Sequence, residues 1–286
     1  MKLSQYILLF LSIAAVFLGA ADSGARILQA GITEKLMMDE YVGQAADDAL
    51  KQLVIYDDGG GAVIEKEAAV DRFFLSLFSS LAILDDGAAR AKLMQYIPVM
   101  AVTDYDGFYI RYAREKEGTD GVTLEYVWTD KQYYTVEDEW AACRFEKDNT
   151  VLLCDKTGIL TGTVSKSVRL DYRELSGSAY ERFQKAAGEH FLLSEEAFRA
   201  EKRNTITRKL EEQLRYYCTA HNRIARKLGI GYEFAFPDMD AAGGERAVPD
   251  IGLLIVFQGY PLKDAGGIPY ERFLLSGAYI KKTQKE

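Results

Sequence analysis

The chain is poor in the residues that most often carry metal or redox chemistry. Its 286 residues include 3 cysteines and 2 histidines. The histidines, His190 and His221, are not at the spacing of a zinc-protease helix, and no two cysteines are at the spacing of a zinc finger. We therefore expect no zinc site and no cofactor. His221 lies in a helical pattern, where a histidine bonded within the core is commoner than a metal ligand.

An excess of basic residues is also absent. The formal net charge is -8, and the isoelectric point is about 5.1. Proteins that bind the phosphate backbone cluster Lys and Arg to displace counterions. The longest basic cluster, RKLEEQLR at 208–215, is diluted by glutamates and is interpreted as the solvated face of a helix. Nucleic acid is therefore not an expected partner.

A single apolar run stands out at the start of the chain. Residues 6–21 carry no charge, and as a helix they would be about 24 Å long, slightly less than the ~30 Å hydrocarbon core of a membrane. Lys2 precedes the run and Asp22 follows it, so we expect the N-terminus in the cytoplasm and the rest outside. Two interpretations stay open. One is a signal anchor over residues 1–22 of a single-pass membrane protein, which we favour, and the other is a cleaved secretory signal.

The remainder of the chain divides into regions that differ in the spacing of their apolar residues. Residues 23–96 carry helical stripes and predict a helical stalk region. Residues 97–170 consist of short β-branched and aromatic runs with brief turns, which predict an antiparallel β meander of about six strands. Helices over 178–229 and three strands over 230–281 complete a head at 97–286. Because helices and strands do not alternate regularly, the predicted fold class is α+β.

Particular residues set the bounds of these elements. Ser194 is a suitable N-cap and Gly229 a suitable stop for one long helix. The three predicted strands after it are GYEFAFP at 231–237, IGLLIVFQGYP at 251–261 and RFLLSGAYIKK at 272–282. In the stalk region, helical stripes are formed by Met38, Val42, Ala45, Ala49 and Leu53, and by Val70, Phe74, Leu77 and Leu81.

Two of the cysteines flank a predicted hairpin, CRFEKDNTVLLC at 143–154. If Asp148 and Asn149 form a two-residue turn, Cys143 falls directly opposite Cys154. A disulfide can form at such a pair outside the cell, and two free buried thiols fit the sequence equally well. Cys218 is expected in a helix as a small apolar residue.

The DKTG sequence at 155–158 resembles the phosphorylation loop of P-type ATPases, which would make Asp155 a nucleophile. Its neighbours, however, are short-linked strands, and no downstream Gly-Asp-Gly type Mg²⁺ motif follows. Asp at the first position and Gly at the fourth are also the preferred residues of a type I turn. We predict that turn, with residues from 159 onward forming the next strand. We predict no catalytic residue and no enzyme activity, and a small cost for Asp155→Asn.

Two Asp-x-Asp sequences remain as candidate metal ligands. They are Asp104 with Asp106, and Asp238 with Asp240. Carboxylates at this spacing hold Ca²⁺ or Mg²⁺ when more oxygens converge. Neither sequence fits the twelve-residue calcium loop, and Asp106 is explained by a hairpin turn at Asp106-Gly107. We therefore predict no metal at either place.

Three stretches resemble a set of uncharacterised single-span envelope proteins of Gram-positive bacteria, associated with tight-adherence-type pilus or type II-like secretion genes. The stretches are YIPVMAVTDYDGFYIRY at 96–112, HNRIARKLGIGYEF at 221–234 and LLIVFQGYP at 253–261. The resemblance implies a non-enzymatic, membrane-anchored extracytoplasmic component with protein partners in the envelope. The general plan is similar to that of type IV pilins, although the apolar run lacks a Glu and the chain lacks a prepilin cleavage site of the Gly-Phe type.

A second resemblance supports an alternative. VMAVTDYDGFYI at 99–110 is similar to the strand-turn-strand element of Cache or PAS-like extracellular sensor domains. It implies a head that senses a small ligand on the 97–170 sheet. Because we expect no second membrane segment and no signalling domain, such a head would act through a partner.

Overall fold

The structure is a computed structural model of the chain. It describes residues 3–56, 62–118, 121–236, 248, 251–262 and 269–278, and for residues 3–25 and a few others the backbone alone. The helices are α1 (Leu3–Leu53), α2 (Lys66–Ser80), α3 (Gly87–Met94), α4 (Gly177–Ala187) and α5 (Glu195–Lys227). The strands are β1 (Val54–Tyr56), β2 (Ala62–Ile64), β3 (Val99–Asp104), β4 (Gly107–Gly118), β5 (Gly121–Trp128), β6 (Gln132–Tyr133), β7 (Thr135–Glu137), β8 (Ala141–Phe145), β9 (Thr150–Asp155), β10 (Lys166–Asp171), β11 (Ile251–Pro261) and β12 (Pro269–Ala278). The predicted α+β class is confirmed.

The C-terminal half of α1 belongs to the core of the protein. Its predicted stripe, from Met38 to Leu53, is buried, because residues three and four apart share one face of a helix. α2 packs against this half of α1 and buries Val70, Phe74 and Leu77. The antiparallel pair β1 and β2 joins the two helices and was not predicted. Both helices share one apolar cluster with the larger sheet, so the region from Met38 onward packs on the head.

The larger sheet has the strand order β12-β11-β3-β4-β5, with β6 beside β4. The predicted hairpin of β3 and β4 is confirmed, and Asp104 pairs with Gly107. Its turn is therefore Tyr105 and Asp106, one residue earlier than predicted. Gly107 is required there, because a Cβ at this position would lie 2.2 Å from the carbonyl oxygen of Gln132.

The smaller sheet has the strand order β10-β9-β8-β7. The meander is antiparallel, as predicted, but it is divided between the two sheets. β3 contributes to the core on both sides of the larger sheet, because its alternate side chains point to opposite faces. Met100 and Val102 join the cluster under α1 and α2, whereas Val99 and Ala101 join a second cluster with the smaller sheet, α4 and α5.

The long helix α5 has the predicted bounds. The hydroxyl of Ser194 accepts a hydrogen bond from the backbone N–H of Ala197 at 3.1 Å, and Gly229 has a φ of 74° just after the helix. Leu210, Leu214 and Cys218 are buried along one seam, as expected for a helix packed on a sheet.

Two predicted strands are corrected. Residues 231–236 are irregular, because Phe234 exchanges two hydrogen bonds with the Asn222 side chain of α5, at 2.7 and 2.8 Å, in place of a strand. In the part of the chain that the structure describes, two strands follow α5 instead of three. Residues 159–165 form a loop, and the strand that was predicted to start at 159 begins only at Lys166.

Of the residues that the structure describes, no helical stretch is both long and apolar enough to cross a membrane. The predicted membrane segment, residues 6–21, lies in the part of α1 whose side chains are outside the described set.

Candidate functional site

The outer face of the smaller sheet carries two rows of side chains. Strand register aligns Thr135, Arg144 and Leu152 in one row. The other row consists of Glu137, Ala142, Cys154 and Ser167. These residues alternate with the buried ones that face the core, because successive side chains of a strand point to opposite sides. The sheet thus presents an organised surface on the side away from the core.

A cleft of about 600 Å³ lies over this face. Besides the strand residues, its lining includes Arg208 and Lys209 of α5. A volume of this size lies within the range of small-molecule sites in proteins. Its lining is partly apolar, with Leu152, Ala142 and the half-buried Cys154, and includes the hydroxyl residues Thr135 and Ser167.

An ionic cluster joins the cleft to the tip of the β3–β4 hairpin. Arg144 forms an ion pair with Asp106, and Lys131 bridges Asp106 and Asp104. The guanidinium of Arg144 also stacks on the ring of Tyr133, 3.5 Å from its centroid, a favourable cation–π geometry. These contacts fix the orientation of Arg144 where it enters the cleft.

The ionic cluster contains Asp104 and Asp106, the first pair of candidate metal ligands. Both carboxylates bind cationic side chains, and Asp104 Oδ1 accepts in addition from the backbone N–H of Tyr105 at 2.6 Å. Asp238 and Asp240 lie outside the described residues. Among the residues described, no three His, Cys, Asp or Glu side chains converge as a metal site would need.

Asp155 organises the loop between β9 and β10. Its Oδ1 accepts from Thr157 N at 3.1 Å, Gly158 N at 2.8 Å and the Thr157 hydroxyl at 3.0 Å. Its Oδ2 accepts from Leu160 N and Thr161 N, both at 2.8 Å. The Thr161 hydroxyl lies 3.2 Å from Oδ2 and 2.9 Å from the carbonyl of Thr163, so its one hydrogen serves either acceptor. The predicted type I turn at DKTG is corrected, because residues 156–165 form a longer loop in which Gly158 N donates to the Asp155 side chain.

The surroundings of Asp155 favour its ionised form. The residue is fully buried. Burial by itself raises a carboxyl pKa, but the hydrogen bonds from Thr161, Gly158 and Thr157 outweigh it and hold the pKa of Asp155 below its usual 3.8. Both oxygens are therefore occupied by hydrogen-bond donors of the residue's own loop.

The predicted alignment of Cys143 with Cys154 is wrong by one residue. Cys143 pairs with Leu153, and Cys154 pairs with Ala142, so the two thiols point to opposite faces of the sheet. Both are free and both contribute to the lining of the cleft, but Cys143 is buried in the core, whereas Cys154 is half-buried. A disulfide requires Cβ atoms that point toward each other, and this arrangement does not provide them.

The turn explains the shift in register. Glu146 N donates to Thr150 O at 3.1 Å, which leaves three residues in the turn instead of two. Lys147 N cannot take part, because it donates to the carbonyl of Tyr105 at 2.9 Å. A contact with the neighbouring hairpin thus sets the register of β8 and β9.

His190 forms a hydrogen bond with Asp138. Its Nδ1 accepts from Leu192 N at 3.1 Å, so Nε2 carries the hydrogen that is donated to Asp138 Oδ2 at 2.8 Å. Asp138 also accepts from Trp140 N and Ala141 N. Burial raises the pKa of Asp138, and these hydrogen bonds lower it by more. The pair fastens α4 and the following turn to the end of β7.

His221 is a core residue, as the sequence indicated. It is buried, and its Nε2 donates to the carbonyl oxygen of Gln95 at 2.8 Å. Its Nδ1 is buried without a hydrogen-bond partner among the described residues. Burial lowers the pKa of the imidazole, so the histidine is neutral at pH 7.

Four residues of the cleft region were not predicted: Lys131, Arg144, Arg208 and Lys209. The last two begin the RKLEEQLR cluster, which the sequence analysis assigned to a solvated helix face. Basic residues on an amphipathic helix are usually solvated, and only the packing of α5 beside the smaller sheet brings them to the cleft. An indication existed for Arg144, which alternates with buried residues along β8.

A second depression, of about 630 Å³, lies on the exposed side of α5 around Tyr216 and Arg223. Among the described residues, α5 alone lines it, so it lacks the converging groups that a binding site needs. Comparisons of the chain with protein-family profiles, curated proteins and solved structures found no match.

Proposed function

We propose that the protein is a non-enzymatic, membrane-anchored extracytoplasmic component of an envelope assembly of the pilus or secretion type. In this proposal residues 6–21 anchor α1 in the membrane with the N-terminus in the cytoplasm. The folded part, from Met38 to the end of β12, is displayed outside. The turns of α1 that precede Met38 contact a helix of a neighbouring subunit.

The observation that carries the proposal is an apolar stripe on α1 ahead of its core contacts. Leu28, Ile32 and Leu36 are 58%, 54% and 62% exposed, and they occur on successive turns of one helix. Isolated exposed apolar residues are ordinary, whereas a contiguous patch indicates an interaction surface. Helices that carry residues at this spacing bind apolar faces of other helices.

The test is crosslinking in membranes of the native host, followed by extraction. We expect the protein to need detergent for extraction and to crosslink to a partner through the stripe. Ile32→Glu with Leu36→Glu should abolish the crosslink. Leu75→Glu, at a residue of α2 that is 50% exposed, is the control and should retain it. Complete extraction by alkaline carbonate, with no self-association and no partner, would contradict the proposal.

A second candidate function is a small-ligand-sensing head of the Cache or PAS type that acts through a partner. The cleft on the smaller sheet favours it, since the cleft is formed largely by residues of the 97–170 segment. A ligand at 100 times its Kd adds about 2.7 kcal/mol to the free energy of unfolding. For a chain of this size that corresponds to a rise in Tm of about 5–10 °C.

A thermal-shift screen with amino acids, organic acids and sugars tests the second candidate. We expect one class of compound to raise Tm. Ala142→Leu enlarges a side chain in the cleft lining and should remove this shift. A shift that persists in Ala142→Leu would place the ligand elsewhere.

A further inference from the structure

The charges that line the cleft do not balance. The lining has one acid, Glu137, and three bases, Arg144, Arg208 and Lys209. Glu137 forms an ion pair with Lys156 at 2.6 Å, and Arg144 forms one with Asp106. Within the described residues, Arg208 and Lys209 have no ion pair. Among the described residues, the cleft therefore has two cations that form no ion pair, in a chain whose net charge is -8.

We propose that the cleft binds a small organic carboxylate. The unpaired guanidinium and ammonium supply the charge, because Arg and Lys donate charge-assisted hydrogen bonds to carboxylates. Thr135 and Ser167, which belong to the lining, supply neutral hydroxyl donors. Leu152 and Ala142 accept the hydrocarbon part of the molecule. This inference rests on the second candidate function and specifies its ligand class.

Cys154 provides a reporter inside the cleft. It lines the cleft and is half-buried, whereas Cys143, which also belongs to the lining, and Cys218 are fully buried. In thiol–disulfide exchange the thiolate attacks one sulfur of a disulfide, the S–S bond breaks, a mixed disulfide forms and the other half leaves as a thiolate. A disulfide reagent that bears carboxylates therefore measures access of organic anions to the cleft.

The experiment compares two reagents on the full chain at pH 8 and low ionic strength. One is 5,5′-dithiobis(2-nitrobenzoate), which carries two carboxylates, and the other is 4,4′-dithiodipyridine, which is neutral. We expect Arg208→Gln with Lys209→Gln to slow the anionic reagent about tenfold, the scale of electrostatic focusing in clefts. The rate with the neutral reagent should change by less than about twofold. In 1 M NaCl the difference should vanish, because the Debye length falls to about 3 Å.

A matched control removes the same charge elsewhere on α5. Arg203→Gln with Arg215→Gln alters two exposed residues outside the cleft lining and should leave both rates unchanged. Citrate should protect Cys154 from the neutral reagent in the unaltered protein, and glucose should not. Cys154→Ser should lose the reaction entirely.

Several outcomes would overturn the inference. They are an equal loss of rate with both reagents, no loss with either, an equal loss in the control pair, or a fast reaction that survives in Cys154→Ser. If neutral or cationic compounds stabilise the protein while the charge variants have no effect, the sensing function stands and the carboxylate inference falls. If citrate protects Cys154 and raises Tm, the carboxylate site stands, and if no compound does either, the sensing function and the carboxylate inference both fall.

Discussion

The backbone N–H of Thr161 donates a 2.8 Å hydrogen bond to Oδ2 of Asp155, six positions earlier in the chain. This bond closes the loop between β9 and β10 on a buried carboxylate. The DKTG sequence at 155–158 resembles a phosphorylation loop, and in this structure the backbone N–H groups of the loop donate to its aspartate.

Replacing Asp155 by Asn should destabilise the protein by about 2–4 kcal/mol. Each carboxylate oxygen accepts from two backbone N–H groups, so the amide NH₂ faces donors in either orientation. This corrects the small cost expected from turn preference alone. Urea unfolding measures the change, and Asp171→Asn, at a carboxylate bound by exposed Arg173, should cost under about 1 kcal/mol. Equal costs would contradict the assignment of Asp155.

The cost of Asp155→Asn should also depend on pH. Since the folded-state pKa of Asp155 lies below its ordinary value, ionisation stabilises the fold above about pH 4, and the stabilisation is lost as pH falls through the folded pKa. The difference between the two proteins should therefore be constant from pH 5 to 7 and shrink below pH 4. A difference that stays constant to pH 2 would exclude the carboxylate as its source.

Two glycines of this loop should differ in their tolerance of alanine. Gly158 and Gly162 both have a φ of 77°, which costs a residue with a Cβ about 1–2 kcal/mol. A Cβ at Gly158 would also lie 3.0 Å from Val164 N, whereas at Gly162 it would meet nothing within 4 Å. We expect Gly158→Ala to cost at least about 1 kcal/mol more than Gly162→Ala in urea unfolding. Equal costs would show that the loop relaxes freely around Gly158.

His221 should make stability depend on pH near neutrality. Burial lowers its folded-state pKa below 6.5, so the unfolded chain binds the proton more tightly and stability falls as pH drops below about 6.5. The loss should reach at most about 1.4 kcal/mol per pH unit. His221→Gln and His221→Phe both remove the titration and should flatten the curve between pH 5.5 and 7.5. A slope that survives in both variants would assign the dependence to another group.

The thiol count should distinguish the observed register of β8 and β9 from the predicted one. Protein purified without reductant, then unfolded and alkylated, should gain three adducts by intact mass. A disulfide between Cys143 and Cys154 would leave one. In the folded protein a single thiol, Cys154, should react readily, because burial raises the pKa of Cys143 and raises that of Cys218 to about 12. Reaction of all three at similar rates would contradict the burial of Cys143 and Cys218.

The spacing of apolar residues predicted the helices well. The residues of a stripe such as Met38 to Leu53 lie on one face, and can be buried together, only if the segment is helical. Caps such as Ser194 are equally local, so the start of α5 was predictable. The register of β8 and β9 was not, because Lys147 bonds to Tyr105 on another hairpin. The irregular segment at 231–236 has the same kind of cause, since Asn222 and Gln258 take its backbone groups.

The candidate site was the least predictable part. Most of its strand residues come from one face of an alternating pattern, and the sequence does not state which face is outward. Arg208 and Lys209 come from a helix that begins some 24 residues after β10 ends. Their role depends on where that helix passes the sheet, which is a property of the assembled fold.

The contact between Asp39 and the last described strand also bears on synthesis. The Tyr270 hydroxyl donates to Asp39 at 2.8 Å across 231 positions, and Arg272 binds the same residue. At about 5–20 residues per second, a ribosome needs on the order of ten to fifty seconds to make the intervening chain. For that interval the apolar face of α1 has no strand β11 or β12 to cover it, so the nascent chain depends on α2, or on a chaperone, to avoid aggregation.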